Sequence, residues 1–160
     1  MRNTSIFLIH HFSFLILYFS FLISHFSFMP KILFVEDDAD FRTEYAQQLR
    51  DAGFTVVEAE GETPAGELLQ KDKFDLAIVD LVMENADGGF TLCYHIKKMN
   101  PEMPTILITA INNEMELRFS IESKSEQSWI KADAMLNKPM RFEQLLSEVQ
   151  RLLGCEESHH

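Results

Sequence analysis

Cysteine, histidine and positive charge are all scarce in this 160-residue chain. There are two cysteines, Cys93 and Cys155. They form no metal-ligand spacing and no disulfide framework, and they suit a reducing compartment. Of six histidines, only His95 lies between residues 29 and 154, so no His/Cys zinc set can be assembled in the body of the chain. The six glycines include no glycine-rich loop ending in Lys-Ser/Thr, which excludes a P-loop nucleotide site. Lys and Arg number 14 against 25 Asp and Glu, a formal net charge of −11. So acidic a chain repels phosphate backbones, which excludes nucleic acid as its own ligand and favours protein partners with basic patches.

The first 28 residues lack acid altogether and carry one base, Arg2. Residues 6–28 are uncharged and long enough to span a bilayer. They also repeat at a seven-residue interval: His11-Phe12-Ser13-Phe14-Leu15-Ile16-Leu17, Tyr18-Phe19-Ser20-Phe21-Leu22-Ile23-Ser24, His25-Phe26-Ser27-Phe28. Copies this alike point to a tandem repeat in the coding nucleic acid, and Met29-Pro30-Lys31-Ile32-Leu33 reads as an ordinary start of a soluble domain. The expected organisation is therefore residues 1–28 as a mis-assigned start, 29–154 as one folded domain and 155–160 as a tail. A membrane anchor with the body on the cytoplasmic side is the alternative. A signal peptide fits less well, because no small-residue cleavage site follows the apolar run.

From Lys31 onward, apolar β-branched runs alternate with helical periodicities. The runs predict strands at 31–36, 54–59, 74–80, 104–109 and 134–137. A helix is predicted at 40–52, where Phe41, Tyr45 and Leu49 recur at every fourth position and Gly53 supplies a stop. Another is expected at 63–71, with Thr63 as N-cap and Pro64 at the first helical position. A third spans 89–99, ended by Asn100-Pro101, with Cys93 in its core face and His95 at its surface or half-buried. A fourth is expected at 112–122, followed by a polar stretch to residue 131 that Trp129-Ile130 would anchor. The last covers 141–153, where Phe142, Leu145, Leu146, Val149, Leu152 and Leu153 share a face ahead of Gly154. This alternation specifies an α/β fold, a doubly wound parallel sheet with helices on both faces.

In such a sheet the carboxyl ends of the strands share one edge, where ligands bind. Strand one ends in Glu36-Asp37-Asp38, strand three in Asp80, strand four in Thr109-Ala110 and strand five in Lys138-Pro139. Clustered carboxylates repel one another unless a cation neutralises them, and an all-oxygen set suits a hard ion such as Mg²⁺. A nearby lysine offsets the remaining charge and can pair with a phosphoryl oxygen. A carboxylate nucleophile, a hydroxyl, a lysine and Mg²⁺ together suit phosphoryl transfer to aspartate.

Four motifs in order, Ile32-Leu33-Phe34-Val35-Glu36-Asp37-Asp38, then Asp80 with Met83 and Asp87-Gly88, then Thr109-Ala110, then Lys138-Pro139, resemble the receiver domain of bacterial two-component response regulators. The resemblance covers residues 31–153 and implies a five-stranded, flavodoxin-like, single-domain receiver of the chemotaxis type. It implies Asp80 as phosphoacceptor, Asp37 as direct Mg²⁺ ligand, Glu36 acting through a metal-bound water and Val82 through its backbone carbonyl. It further implies Thr109 as switch hydroxyl, the Ala110 amide as phosphoryl donor and Lys138 as the pairing lysine, while Asp38 caps the following helix. The donor would be a sensor histidine kinase or phosphotransfer protein, the output a downstream protein partner and the location cytoplasmic. The chain would be no enzyme beyond its own aspartyl phosphorylation and dephosphorylation.

The departures from the family pattern lie around the switch. Met135 stands where the family usually has an aromatic residue, Met140 where phenylalanine is common and Glu84 where proline is frequent. The stretch from Thr109 to Lys138 is longer than usual by roughly two helical turns. These differences keep open a second reading, a receiver-like scaffold that binds a kinase without being phosphorylated. A phosphatase of the haloacid dehalogenase type is excluded, because Val82 occupies the place of its second acid.

A chain begun at Met29 is expected to fold and to keep the strand-end site, since every residue of that constellation lies after it. Circular dichroism and thermal unfolding of residues 29–160 check this. Loss of a cooperative transition on truncation would make the apolar segment part of the fold.

Overall fold

A computed structural model describes residues 29–83, 88–110 and 131–154. In chain order these form β1 (Lys31–Val35), α1 (Ala39–Asp51), β2 (Thr55–Ala59), α2 (Glu62–Lys71), β3 (Leu76–Asp80), α3 (Gly88–Met99), β4 (Thr105–Thr109), β5 (Ala134–Asn137) and α4 (Phe142–Leu153). The helix expected at 112–122, the polar stretch after it and its Trp129 anchor lie outside the described residues. So do the apolar heptads and the tail. Among the described residues no helix is long and apolar enough to cross a membrane.

The five strands form one sheet in the order β2-β1-β3-β4-β5, and every neighbouring pair is parallel. This is the flavodoxin-like architecture expected from the alternation of strands and helices. Successive side chains of a strand point to opposite faces, and both faces are covered. Ile32, Phe34, Leu76, Ile78, Ile106 and Ile108 pack with Tyr45, Ala46 and Leu49 of α1 and with Leu145 and Val149 of α4. Leu33, Val35, Ala77, Val79 and Leu107 pack on the other side with Ala65 of α2 and with Phe90, Leu92, Cys93 and Ile96 of α3. Burial on two faces is why β3 and β4 read as unbroken apolar runs rather than as alternating ones.

Local chemistry sets the helix ends. The Asp38 side chain accepts from the N–H groups of Asp40 and Phe41, each at 3.0 Å, and so caps α1 as expected. Gly53, at φ 95°, turns the chain into β2 in a conformation that a side chain would strain. The start of α2 corrects the expectation at Thr63-Pro64. The helix begins at Glu62, its N-cap is Gly61 and no side chain caps it. Pro64 is thus the third helical residue. Its position is still tolerated, because the first helical N–H groups have no partner within the helix. Cys93 is fully buried, and burial pushes its thiol up to about 12, which leaves it an inert core residue. His95 is exposed on α3.

Gly89 sets how closely α3 approaches the sheet. Its N–H donates to the Leu81 carbonyl at 3.1 Å. A Cβ at this position would lie 2.3 Å from the Asp80 carbonyl oxygen and 2.6 Å from Leu81 Cα. Both obstacles are backbone, so neither can swing aside. Gly89→Ala is expected to lower stability by about 1–3 kcal/mol. Gly66→Ala in α2, where a Cβ meets nothing within 4 Å, is expected to raise it by about 0.5–1 kcal/mol. Urea unfolding of both variants checks the contrast, and equal midpoints would remove the close-approach role of Gly89.

Candidate functional site

The sheet register lines up four strand ends. Val35 pairs with Val79, which puts Glu36 beside Asp80. Asp80 pairs with Ile108, one residue before Thr109. Thr109 pairs with Asn137, one residue before Lys138, and the Lys138 N–H donates to the Thr109 carbonyl at 2.7 Å. Three acids, a hydroxyl and an amine therefore share one edge because the strands are parallel and in this order. β2, at the margin of the sheet, adds none of them.

Glu36 and Asp80 are 1% and 4% exposed, whereas Asp37 is exposed. One oxygen from each of these three carboxylates lies within 4.8 Å of the others. Lys138 Nζ donates to Glu36 Oε2 at 2.7 Å and stands 3.4 Å from Asp80 Oδ2. Arg42 Nη1 donates to the Glu36 carbonyl at 2.5 Å and fixes the acidic corner to α1. Asp80 Oδ1 and Thr109 Oγ1 are buried and have no hydrogen-bond partner among the described residues. Buried polar atoms left unpaired cost about 1–3 kcal/mol each, and these two, at one edge, are groups that a bound ion, phosphoryl oxygen or water would satisfy. The all-oxygen donor set of Glu36, Asp37 and Asp80 fits a hard divalent cation such as Mg²⁺.

Burial governs the charges. It pushes the Glu36 carboxyl up to about 7, with the Asp80 charge adding and Lys138 opposing. It also raises Asp80, against Lys138 and with a contribution from Asp37. For Lys138, burial alone would lower the ammonium, but Glu36 and Asp80 outweigh it and the net shift is upward. The ion pair is therefore asymmetric. Glu36 is almost wholly out of water while the Lys138 side chain stays 19% exposed, so desolvation falls mainly on the acid.

The remaining expected residues are placed less centrally. Val82 follows β3 with its side chain 43% exposed. Ala110 is exposed just after β4. Met135 is 39% exposed on β5. Glu84 and Asp87 lie outside the described residues. Two contacts had no sequence signal. The Phe41 ring lies under Lys138 Nζ, 4.4 Å from ammonium to centroid. The Tyr45 hydroxyl donates to the Met140 carbonyl at 2.7 Å. In the sequence both aromatics read only as a core stripe of α1.

Comparison with known proteins agrees with this fold. The family model described as Response regulator receiver domain matches residues 32–150. The response regulator receiver protein CpdR of Brucella abortus is 29% identical over 126 residues, covering 78% of this chain and 98% of that protein. The chain spans about half the length of three longer relatives named as transcriptional regulatory proteins. Among solved structures, the chemotaxis response regulator CheY4 of Vibrio cholerae is 28% identical with a TM-score of 0.65, covering 78% of this chain and 98% of that one. The response regulator TrrA of Thermotoga maritima, solved in complex with Mg²⁺-BeF, is 26% identical with a TM-score of 0.64, covering 78% and 99%.

The raised Glu36 pKa has a signed consequence. Between the ordinary carboxylate value of 4.5 and about 7, the folded chain holds a proton that the unfolded chain has released. Metal-free stability therefore falls as pH rises through that window, by on the order of 3 kcal/mol, and Asp80 acts in the same direction. Mg²⁺ requires the ionised carboxylates, so its affinity rises over the same window. Urea midpoints at several pH values, with and without Mg²⁺, check both signs. Glu36→Gln should flatten the metal-free profile, and a wild-type profile that rises with pH would contradict the burial argument.

Proposed function

The chain belongs to the response regulator receiver domain family, and on that premise we propose that it accepts a phosphoryl group on Asp80 from a phosphohistidine. Receiver domains are signalling modules of two-component systems rather than enzymes in the ordinary sense. The observation that carries the proposal is the asymmetry at Asp80: Lys138 stands against Oδ2, while Oδ1 is buried without a partner. Oδ1 is the oxygen left to act as nucleophile. It attacks phosphorus in line, the P–N bond breaks, and its electron pair returns to the imidazole, which leaves as a neutral ring when its other nitrogen carries a proton.

Glu36, Asp37 and Asp80, with the Val82 carbonyl, would hold Mg²⁺, which supplies positive charge to the phosphoryl oxygens. That Mg²⁺-BeF is bound in the TrrA structure supports the same choice of ion. The chain's own groups do the rest. Neutralising Glu36 frees Lys138 from its 2.7 Å partner to pair with a phosphoryl oxygen. The Thr109 hydroxyl, unpaired in the described structure, gains an acceptor there, and the Ala110 N–H donates beside it. Movement of Thr109 toward the phosphoryl group is the step that alters a protein-binding face. The donor is a sensor histidine kinase or phosphotransfer protein and the receiver of the signal is a downstream protein, which places the exchange in the cytoplasm.

Incubation with Mg²⁺ and acetyl phosphate followed by intact-mass measurement tests this. Wild type should gain the mass of one phosphoryl group, labile to hydroxylamine. Asp80→Asn should gain none, Asp37→Ala little or none, and a chelator should stop labelling. Equal labelling of Asp80→Asn would end the assignment.

A further inference from the structure

The acceptor edge is tied to α1 by a row of aromatic contacts. Lys138 Nζ lies 4.4 Å from the Phe41 ring centroid. Phe41 stacks on Tyr45, with centroids 4.2 Å apart and planes at 18°. The Tyr45 hydroxyl donates to the Met140 carbonyl at 2.7 Å, and its ring meets Phe142 of α4 edge-on, 6.3 Å between centroids. Phe41 and Tyr45 stand one turn apart on the same face of α1. Between them they hold both ends of the Lys138 segment: the ring takes the ammonium, and the hydroxyl takes the backbone two residues further on.

A lysine reaches its partner on a flexible four-carbon stem, and fixing it costs rotamer freedom. At this edge the ammonium can choose among Glu36, Asp80 and water. An aromatic face attracts the ammonium electrostatically and occupies a side from which water would otherwise approach. The apolar stripe of α1 does not itself require an aromatic residue at this place. Phe41 is only half-buried, and a leucine would continue the stripe. What leucine cannot do is attract a cation.

We propose that Phe41 is a positioning residue for Lys138, holding the ammonium against the acceptor carboxylates while Tyr45 fixes the backbone that carries it. The inference rests on the reading of Asp80 as phosphoacceptor for its consequence, but its geometry can be tested without any phosphodonor. The proton resonances of the Lys138 ε-methylene, assigned with the help of Lys138→Arg, should be displaced upfield by the Phe41 ring current in the full chain. Phe41→Leu should lose that displacement, and Phe41→Tyr and Phe41→Trp should keep it. In the reaction, with Mg²⁺ and acetyl phosphate, Phe41→Leu should label Asp80 about three- to tenfold more slowly. The two aromatic variants should stay within about twofold of wild type.

A merely structural role would move thermal stability in the three variants without this split between ring and no ring. Should Phe41→Leu not fold, Phe41→Met keeps the length of the side chain without a ring and takes its place. Undisplaced Lys138 resonances in wild type, or wild-type labelling by the leucine variant, overturn the proposal. If wild type takes no phosphoryl group, the phosphoacceptor reading fails and the placement of Lys138 is decided by the resonances alone.

Discussion

Two buried carboxylates, Glu36 and Asp80, share one ammonium, Lys138. Neither acid can be held out of water unpaired, and removing one partner of a buried pair typically costs about 3–5 kcal/mol. The lysine follows β5 and its partners stand at the ends of β1 and β3, so the pairing closes the carboxyl edge of the sheet from β1 to β5. It does not neutralise that edge. With Asp37 counted there are three carboxylates and one ammonium, and the excess negative charge is what a cation or a proton must answer. Burial, with a smaller push from the neighbouring carboxylates, raises the Glu36 and Asp80 pKa values and favours the proton's answer when no cation is bound.

The parallel sheet is the reason this charge can be gathered at all. Both faces of β1, β3 and β4 are filled by apolar side chains under helices, which leaves no room for polar chemistry along the strands. The strand ends are the first positions beyond that double burial. They point the same way because all the strand pairs are parallel. Gly89 belongs to the same constraint. It lets the start of α3 sit directly on the backbone of Asp80 and Leu81, so the strand that ends in Asp80 is braced from the side opposite α1.

The parts of this arrangement that were legible in the sequence are the local ones. The run of Leu76 to Val79 ahead of Asp80, the acids after Val35 and the spacing of Phe41, Tyr45 and Leu49 each lie within a few residues. The fold class followed from them, as did the Asp38 cap. What was not legible depends on residues far apart in the chain. Glu36 and Lys138 are separated by 102 positions, and nothing in either motif says that the lysine rests on Glu36 more closely than on Asp80. The ring of Phe41 under that lysine was hidden for the same reason, since the hydrophobic period of α1 accounts for a phenylalanine there without it. Thr63-Pro64 misled because a proline is tolerated within the first helical turn and not only at its first position, and Gly61 carries no side chain to announce a cap.

The same accounting bears on how a change at Asp80 can travel. Ala134 and Leu136 of β5 face the α1 and α4 core, so Met135, between them on the strand, points to the other face, where its side chain is 39% exposed. An exposed, flexible methionine imposes little restraint on what lies beside it. Lys138, by contrast, is held by Glu36, by Asp80, by the Phe41 ring and, through Met140, by the Tyr45 hydroxyl. Of these two residues, the lysine is the one with several contacts, and they lead to α1 and to the segment before α4. Displacement of the backbone that carries Lys138 would therefore bear on the Tyr45 contact with Met140 and on the Phe41 ring, whatever Met135 does on the opposite face.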